Sequence, residues 1–282
     1  MGAAGWGGLG RLSPAIGSLP RTAVLVTVLS PAPIRRCGAG GLPNDAPICA
    51  RRVATKRSYH DSCGLAHALD LVGERWALLV VRELMFGPKR FTELRADLPR
   101  VSANVLTRRL VELEAASVVR RRKLPPPAAS WVYELTVWGL ELEPVIRTLG
   151  RWAARSPKHR RDLSFGVAAL ILSLRTNFDP ALASGVRLDV LIRCGEQTFL
   201  AEVADGGLVV ERWTGEPPAA TEIAGEPPIF ATVIYGGRPL GDAVAAGDLT
   251  VSGDVAAARN FVRLFTLPEP AAPPIELGGA RS

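Results

Sequence analysis

A chain of 282 residues, 48% of them hydrophobic, holds enough apolar mass for one large domain or two ordinary ones. Its net charge of +7 is unevenly spread: residues 1–57 carry +7, residues 58–157 carry +4 and residues 158–282 carry −4, so a basic middle precedes an acidic end. Four scattered cysteines (Cys37, Cys49, Cys63, Cys194) without a C-x-x-C argue against a disulfide framework and suit a reducing cytoplasm, and no apolar run approaches the roughly 20 residues of a membrane helix.

Residues 1–57 are rich in Gly, Pro, Ala and Arg and lack a sustained period, so a disordered basic tail is expected, with translation starting near Val53. "GWGGLG" from Gly5 to Gly10 matches the letter of a dinucleotide fingerprint, but no strand can precede it. "TAVLVTVLS" behind Arg21 is followed by no small-x-small cleavage site, so export is not expected.

From residue 58 the pattern becomes helical. "SCGLAHALDLVG" (62–73) reads as a short helix capped by Asp61 or Ser62, and "RWALLVVRELMFG" (75–87), apolar nearly all round, as a central buried helix stopped at Gly87-Pro88. "FTELRADLP" (91–99) is a short helix closed by Pro99. Ser102 caps the next one, with Val101 and Leu106 placed for a hydrophobic staple. Ala103, Leu106, Leu110 and Leu113 are spaced 3, 4 and 3 and make one apolar face; Asn104, Thr107 and Arg108 stand opposite, with Arg109 on a flank. "SVVRRRKL" (117–124) is extended, "PPPAAS" (125–130) a loop tip, and "WVYELT" (131–136) the returning strand. Thr136 caps a last helix, "VWGLELEPVIRTLGRWA", in which Pro144 predicts a kink.

A helix, a turn, a second helix with a polar face and then a basic hairpin is the order of a winged helix-turn-helix. In that arrangement the recognition helix (102–116) enters the major groove, where Asn104, Thr107 and Arg108 suit base edges. Ser102, Arg109 and the wing (118–136) with Arg120, Arg121, Arg122 and Lys123 suit the backbone or the adjacent minor groove. An arginine pair alone fits a solvated helix face better; the order of elements, the staple and the four-cation strand together favour double-stranded DNA.

The stretch from Cys63 to about Trp152 resembles the HxlR-type winged helix-turn-helix regulators. The match rests on Gly73 with Trp76, the "RFTEL" box, the helix "S-x-N-x-L-x-x-R-L-x-x-L" and the turn "YELT-x-x-G". The resemblance implies a bacterial homodimer joined through its first and last helices, acting as a repressor or activator at an operator with two half-sites. It also implies that a cysteine at the start of the first helix senses oxidants or electrophiles in some members; Cys63 occupies that place, and a helix N-terminus favours thiolate while Asp61 opposes it. The triple proline of the wing tip departs from the family pattern. His60, Cys63 and His67 fall at i, i+3 and i+7, but no fourth ligand stands near, so no metal is expected.

Residues 158–268 read as an α+β domain with helices against an antiparallel sheet, followed by a disordered tail at 269–282. The element order, and "G-x-L-x-V-x-G-D" from Gly247 to Asp254 before a final amphipathic helix, is similar to the sterol carrier protein type 2-like fold. That resemblance implies an apolar cavity between sheet and helices, for which Phe165, Leu170, Leu174, Phe178 and Phe261 are the candidate lining, although such residues are more often core. No Ser/His/Asp or Cys/His set, phosphate loop or metal-spaced cluster is visible, so neither catalysis nor a cofactor is expected. The expectation is therefore a cytoplasmic, homodimeric DNA-binding regulator answering to an apolar small-molecule effector. The rivals are a lipid-carrier or partner-binding module without DNA binding, and a redox-responsive regulator acting through Cys63.

Overall fold

The computed structural model describes residues 58–160, 165–216 and 221–272; the expectations for residues 1–57 and 273–282 lie outside the described residues. Helix α1 (Gly64–Val72) starts at Cys63 rather than at Asp61 or Ser62, because the Asp61 carboxylate accepts from the Cys63 N–H at 2.9 Å and holds the entering chain extended. Helix α2 (Ala77–Leu84) is shorter than its apolar pattern: Trp76 sits in the left-handed region with φ 78° and forces a late start. Its Ala77, Val80, Val81 and Leu84 are buried. Helix α3 (Phe91–Asp97) and helix α4 (Ala103–Ala115) follow, then the hairpin of β1 (Val119–Lys123) and β2 (Trp131–Leu135).

The last helical stretch does not kink at Pro144 but breaks into α5 (Val137–Leu140) and α6 (Leu142–Ala154). Proline lacks the N–H that would bond the Leu140 carbonyl, yet it is tolerated in the first turn of a new helix, so the break moves ahead of it to Glu141. Thr136 caps α5 as expected, its Oγ1 accepting from the Gly139 N–H at 2.9 Å.

The second half is sheet-rich. Helix α7 (Val167–Asn177) leads to β3 (Leu188–Cys194), β4 (Gln197–Ala204), β5 (Gly207–Trp213) and β6 (Thr221–Gly225). Helices α8 (Pro227–Ile234) and α9 (Leu240–Ala245), strand β7 (Leu249–Ser252) and helix α10 (Val255–Val262) complete it. The strands lie in the order β5-β4-β3-β6-β7. The sheet is mixed, not antiparallel: β3 and β6 run parallel, with Val190 opposite Thr221. The chain forms a meander through β3, β4 and β5, then returns to the free side of β3 in the same sense. Asp254 caps α10, accepting from the Ala256 N–H at 2.7 Å and the Ala257 N–H at 3.2 Å.

Apolar packing is continuous between the halves. Helix α7 lies against α2 and α6, and the Phe86 and Phe199 rings meet edge to face at 5.7 Å. The Arg175 guanidinium lies over Phe86, 5.0 Å from its centroid, and is held by Glu143 of α6 and the Val210 carbonyl of β5. None of the helices among the described residues is long and apolar enough to cross a membrane.

Candidate nucleic-acid interface

Helix α4 owes its orientation to its apolar stripe: Leu106, Leu110 and Leu113 are fully buried, and Val101 ahead of the cap is buried beside them. The Ser102 Oγ accepts from the Val105 N–H at 3.4 Å and satisfies one orphan donor of the first turn. Asn104, Thr107 and Arg108 are exposed on the other side. The Thr107 hydroxyl donates back to the Ala103 carbonyl at 2.9 Å. Arg108 Nε bonds Glu112 Oε1 at 3.0 Å, yet the side chain remains 57% exposed and its remaining donors face solvent.

Arg109 departs from expectation. It is 6% exposed, and its guanidinium pairs with Glu112 and with Glu74 Oε2 at 3.3 Å, so it ties α4 to the turn between α1 and α2 instead of facing a duplex. The helical period places it on a flank; two carboxylates, one from a different segment, turn that flank inward.

The wing's four cations are sorted by the alternation of the strand. Arg120 and Arg122 share one face of β1, and Glu134, opposite Arg120 on β2, holds both. Its Oε1 accepts from Arg120 Nε at 2.7 Å and Arg122 Nε at 3.0 Å, and its Oε2 from Arg122 Nη2 at 2.9 Å. The Arg122 hydrogen bonds, followed by those of Arg120, hold the Glu134 carboxyl below its ordinary range, and the same bond raises Arg122. Arg121 points to the other face and stacks on Trp131, 4.4 Å from the ring centroid, with Tyr133 at 6.0 Å. Lys123 is exposed.

Three fixings hold the wing to the rest of the reading head. Tyr133 exchanges backbone hydrogen bonds with Lys89 at 3.0 and 2.8 Å. Lys89 is itself buried, its Nζ bonded to Glu83 Oε2 at 3.1 Å and Asp97 Oδ2 at 2.7 Å. Gly139 lies so close to the Val118 carbonyl that a Cβ would fall 2.1 Å from its oxygen. At the tip, Leu124 N–H donates to the Ser130 carbonyl at 2.8 Å and closes the loop over a cis Pro126–Pro127 bond. Glu134 and the Trp131–Tyr133 plate escaped sequence reasoning. The register that Thr136 sets would have placed Glu134 across from Arg120.

Cys63 is exposed at the mouth of α1, and the backbone N–H groups of Ala66 and then Leu65 pull its thiol below the ordinary value. Burial and then the Glu226 charge push Cys194 up to about 12. Among the described residues no three His, Cys, Asp or Glu gather as a metal site. Of the candidate cavity residues, Leu170, Leu174 and Phe261 are fully buried in the core and Phe165 is half-buried. Phe178 lines a cleft of about 470 Å³ beside α6.

A family model described as HxlR-like helix-turn-helix matches residues 71–161. The HTH-type transcriptional regulator YvaP of Bacillus subtilis (strain 168) is 40% identical over 86 residues, which span 30% of this chain and 80% of that protein. YodB, an HTH-type transcriptional regulator of the same organism, is also 40% identical over 86 residues, spanning 30% of this chain and 77% of its own length. The solved structure of the reduced form of YodB covers 35% of this chain and 97% of that one, at 35% identity and a TM-score of 0.32. The matched segment contains α2 to α6, with the recognition helix and the whole wing, and the chain belongs to the HxlR-like helix-turn-helix family of DNA-binding transcriptional regulators.

Proposed function

We propose that the protein is a homodimer that reads an operator with two half-sites, the recognition helix 102–116 facing base edges and the wing 118–136 holding the flanking duplex. One observation carries the reading: α4 buries its leucines and turns Asn104, Thr107 and Arg108 outward beside a wing whose Arg120, Arg121, Arg122 and Lys123 reach the surface. Asn104, Thr107 and Arg108 discriminate bases; Ser102 and the wing cations position the backbone. Arg108→Ala then weakens selected operator DNA by about 1–3 kcal/mol and relaxes specificity, while Arg121→Ala weakens selected and random duplexes alike. Equal losses on both duplexes for both variants would overturn the assignment of roles.

The dimer reading is supported by two helices without a buried residue. Helix α1 exposes Leu65 and Leu69, and α6 exposes Val145, Leu149 and Trp152, the last 71% accessible. Such a stripe is the ordinary mark of an interface. Two heads joined there set half-sites about 34 Å apart, or a multiple. Light scattering of a Leu149→Asp variant should report a monomer; a persisting dimer would place the seam elsewhere.

The sheet-rich half is read as a sterol carrier protein type 2-like fold that binds an apolar effector. Helices packed on a five-stranded sheet, and the run from Gly247 to Asp254 leading into α10, support this. An effector regulates only if it binds one arrangement of the two reading heads better than the other. Native mass spectrometry of the full chain should show an extra, releasable mass; a bare chain under gentle purification counts against a resident ligand.

A second reading, a redox response through Cys63, is favoured by its exposure and depressed thiol. A reporter response to diamide or quinone that survives Cys63→Ser would end it.

A further inference from the structure

Helix α6 has a second face. Arg147, Arg151 and Arg155 recur every four residues along it and form a row distinct from the apolar stripe. All three reach neutral carbonyls: Arg147 donates to the Arg175 carbonyl, Arg151 Nη1 to the Thr176 carbonyl at 3.2 Å, and Arg155 Nε to the Glu269 carbonyl at 3.0 Å. The first two cover the C-terminal end of α7 and offset the negative end of its dipole. A carbonyl does not neutralise a guanidinium. Among the described residues Arg147 has one carboxylate, Glu143 Oε1 at 3.8 Å, and both Glu143 oxygens already accept from Arg175 Nη1 at 2.9 Å. One carboxylate thus serves two guanidinium groups, and a positive charge is left over.

That charge lies on the cleft of about 470 Å³, whose wall carries Glu143, Arg147 and Arg175 together with Phe178, Leu208 and Val209. The volume falls within the roughly 300–1,000 Å³ of small-molecule sites. A spare guanidinium beside the apolar side chains of Phe178 and Leu208 suits a carboxylate with an apolar body.

We infer that this cleft is an effector site for a small apolar monocarboxylate, with Arg147 as its anion partner and Phe178 and Leu208, the latter on the β4–β5 hairpin, against its body. The ligand bridges α6 to the hairpin, and α6 is the helix whose opposite stripe is proposed to face the second copy. Occupancy therefore acts on the element that sets the spacing of the reading heads. The regulatory part rests on the ligand-responsive homodimer proposed above; binding in the cleft does not.

The test is calorimetry on the full chain with octanoate and benzoate, and with octanol and benzyl alcohol as neutral counterparts. At least one carboxylate should bind saturably, with its alcohol at least about tenfold weaker. Arg147→Gln should lose a similar factor and Arg147→Lys retain most of the affinity. Leu208→Glu, at a half-buried position on the cleft's face of β5, should also lose binding by placing a like charge at the wall. No saturable binding below about 10 mM, or binding indifferent to both Arg147→Gln and Leu208→Glu, overturns the site. Operator affinity measured alongside separates the two readings. A carboxylate that binds through Arg147 without changing DNA affinity upholds the site and removes the ligand response. An effector that shifts DNA affinity with the cleft silent removes the site alone.

Discussion

Glu134→Gln should make the protein bind DNA more tightly and less selectively. In the native wing one carboxylate accepts three hydrogen bonds from Arg120 and Arg122, so the three side chains together present one net positive charge. Removing the carboxylate frees the second. Neutralising one further phosphate steepens the dependence of log K on log salt by about 0.9. Between 50 and 200 mM salt that adds about a threefold loss, and at low salt it appears as a gain of similar size on any duplex. The arginine side chains are 65% and 42% exposed, so neither is stranded without solvent, and the stability cost stays within about 1 kcal/mol. Fluorescence anisotropy on selected and random duplexes over a salt series reads both slope and selectivity. An unchanged slope, or a gain confined to selected DNA, would refute the view that Glu134 competes with phosphate.

Arg109→Ala should destabilise the fold by about 2–4 kcal/mol, because Glu112 keeps only the solvent-exposed Arg108 and Glu74 loses its partner, while the salt slope of DNA binding stays unchanged; denaturant titration and anisotropy measure the two. Gly139→Ala should cost about 2–3 kcal/mol, since its Cβ would meet backbone rather than a yielding side chain. Iodoacetamide mapping against pH should show Cys63 reacting with a midpoint below that of free cysteine, because its lowered pKa puts thiolate at lower pH. At pH 8 Cys194, pushed up to about 12, is about one part in ten thousand thiolate and should stay unmodified.

Local signals carried most of the reading head. The spacing of Leu106, Leu110 and Leu113, the Ser102 cap and the Thr136 cap act within one turn of chain, and all three appear in the structure. Much of what escaped depends on partners remote in sequence. Glu74, from a different segment, draws Arg109 inward and Glu134 gathers two wing arginines, while a left-handed Trp76 delays α2 against its own apolar pattern without any sequence signal. Strand β6, five residues with only Thr221 and Ile223 buried, offers too short an alternation to be seen, and its parallel pairing with β3 has no local signature. The pattern around Pro144 suggests a kink, whereas the helix breaks ahead of it at Glu141, since proline suits a first turn as well as it disrupts an interior.

The edge-to-face meeting of Phe86 and Phe199 has a mechanical meaning. Phe86 follows the buried central helix of the reading head, and Phe199 is a fully buried residue of the second strand of the sheet. A regulator assembled from a head and a tethered sensor can let one melt while the other stands. Here neither half can expose its side of that contact without stripping apolar surface from the other. Thermal unfolding should therefore run as one cooperative transition, and cutting the chain between α6 and α7 should yield two sticky fragments rather than two working modules.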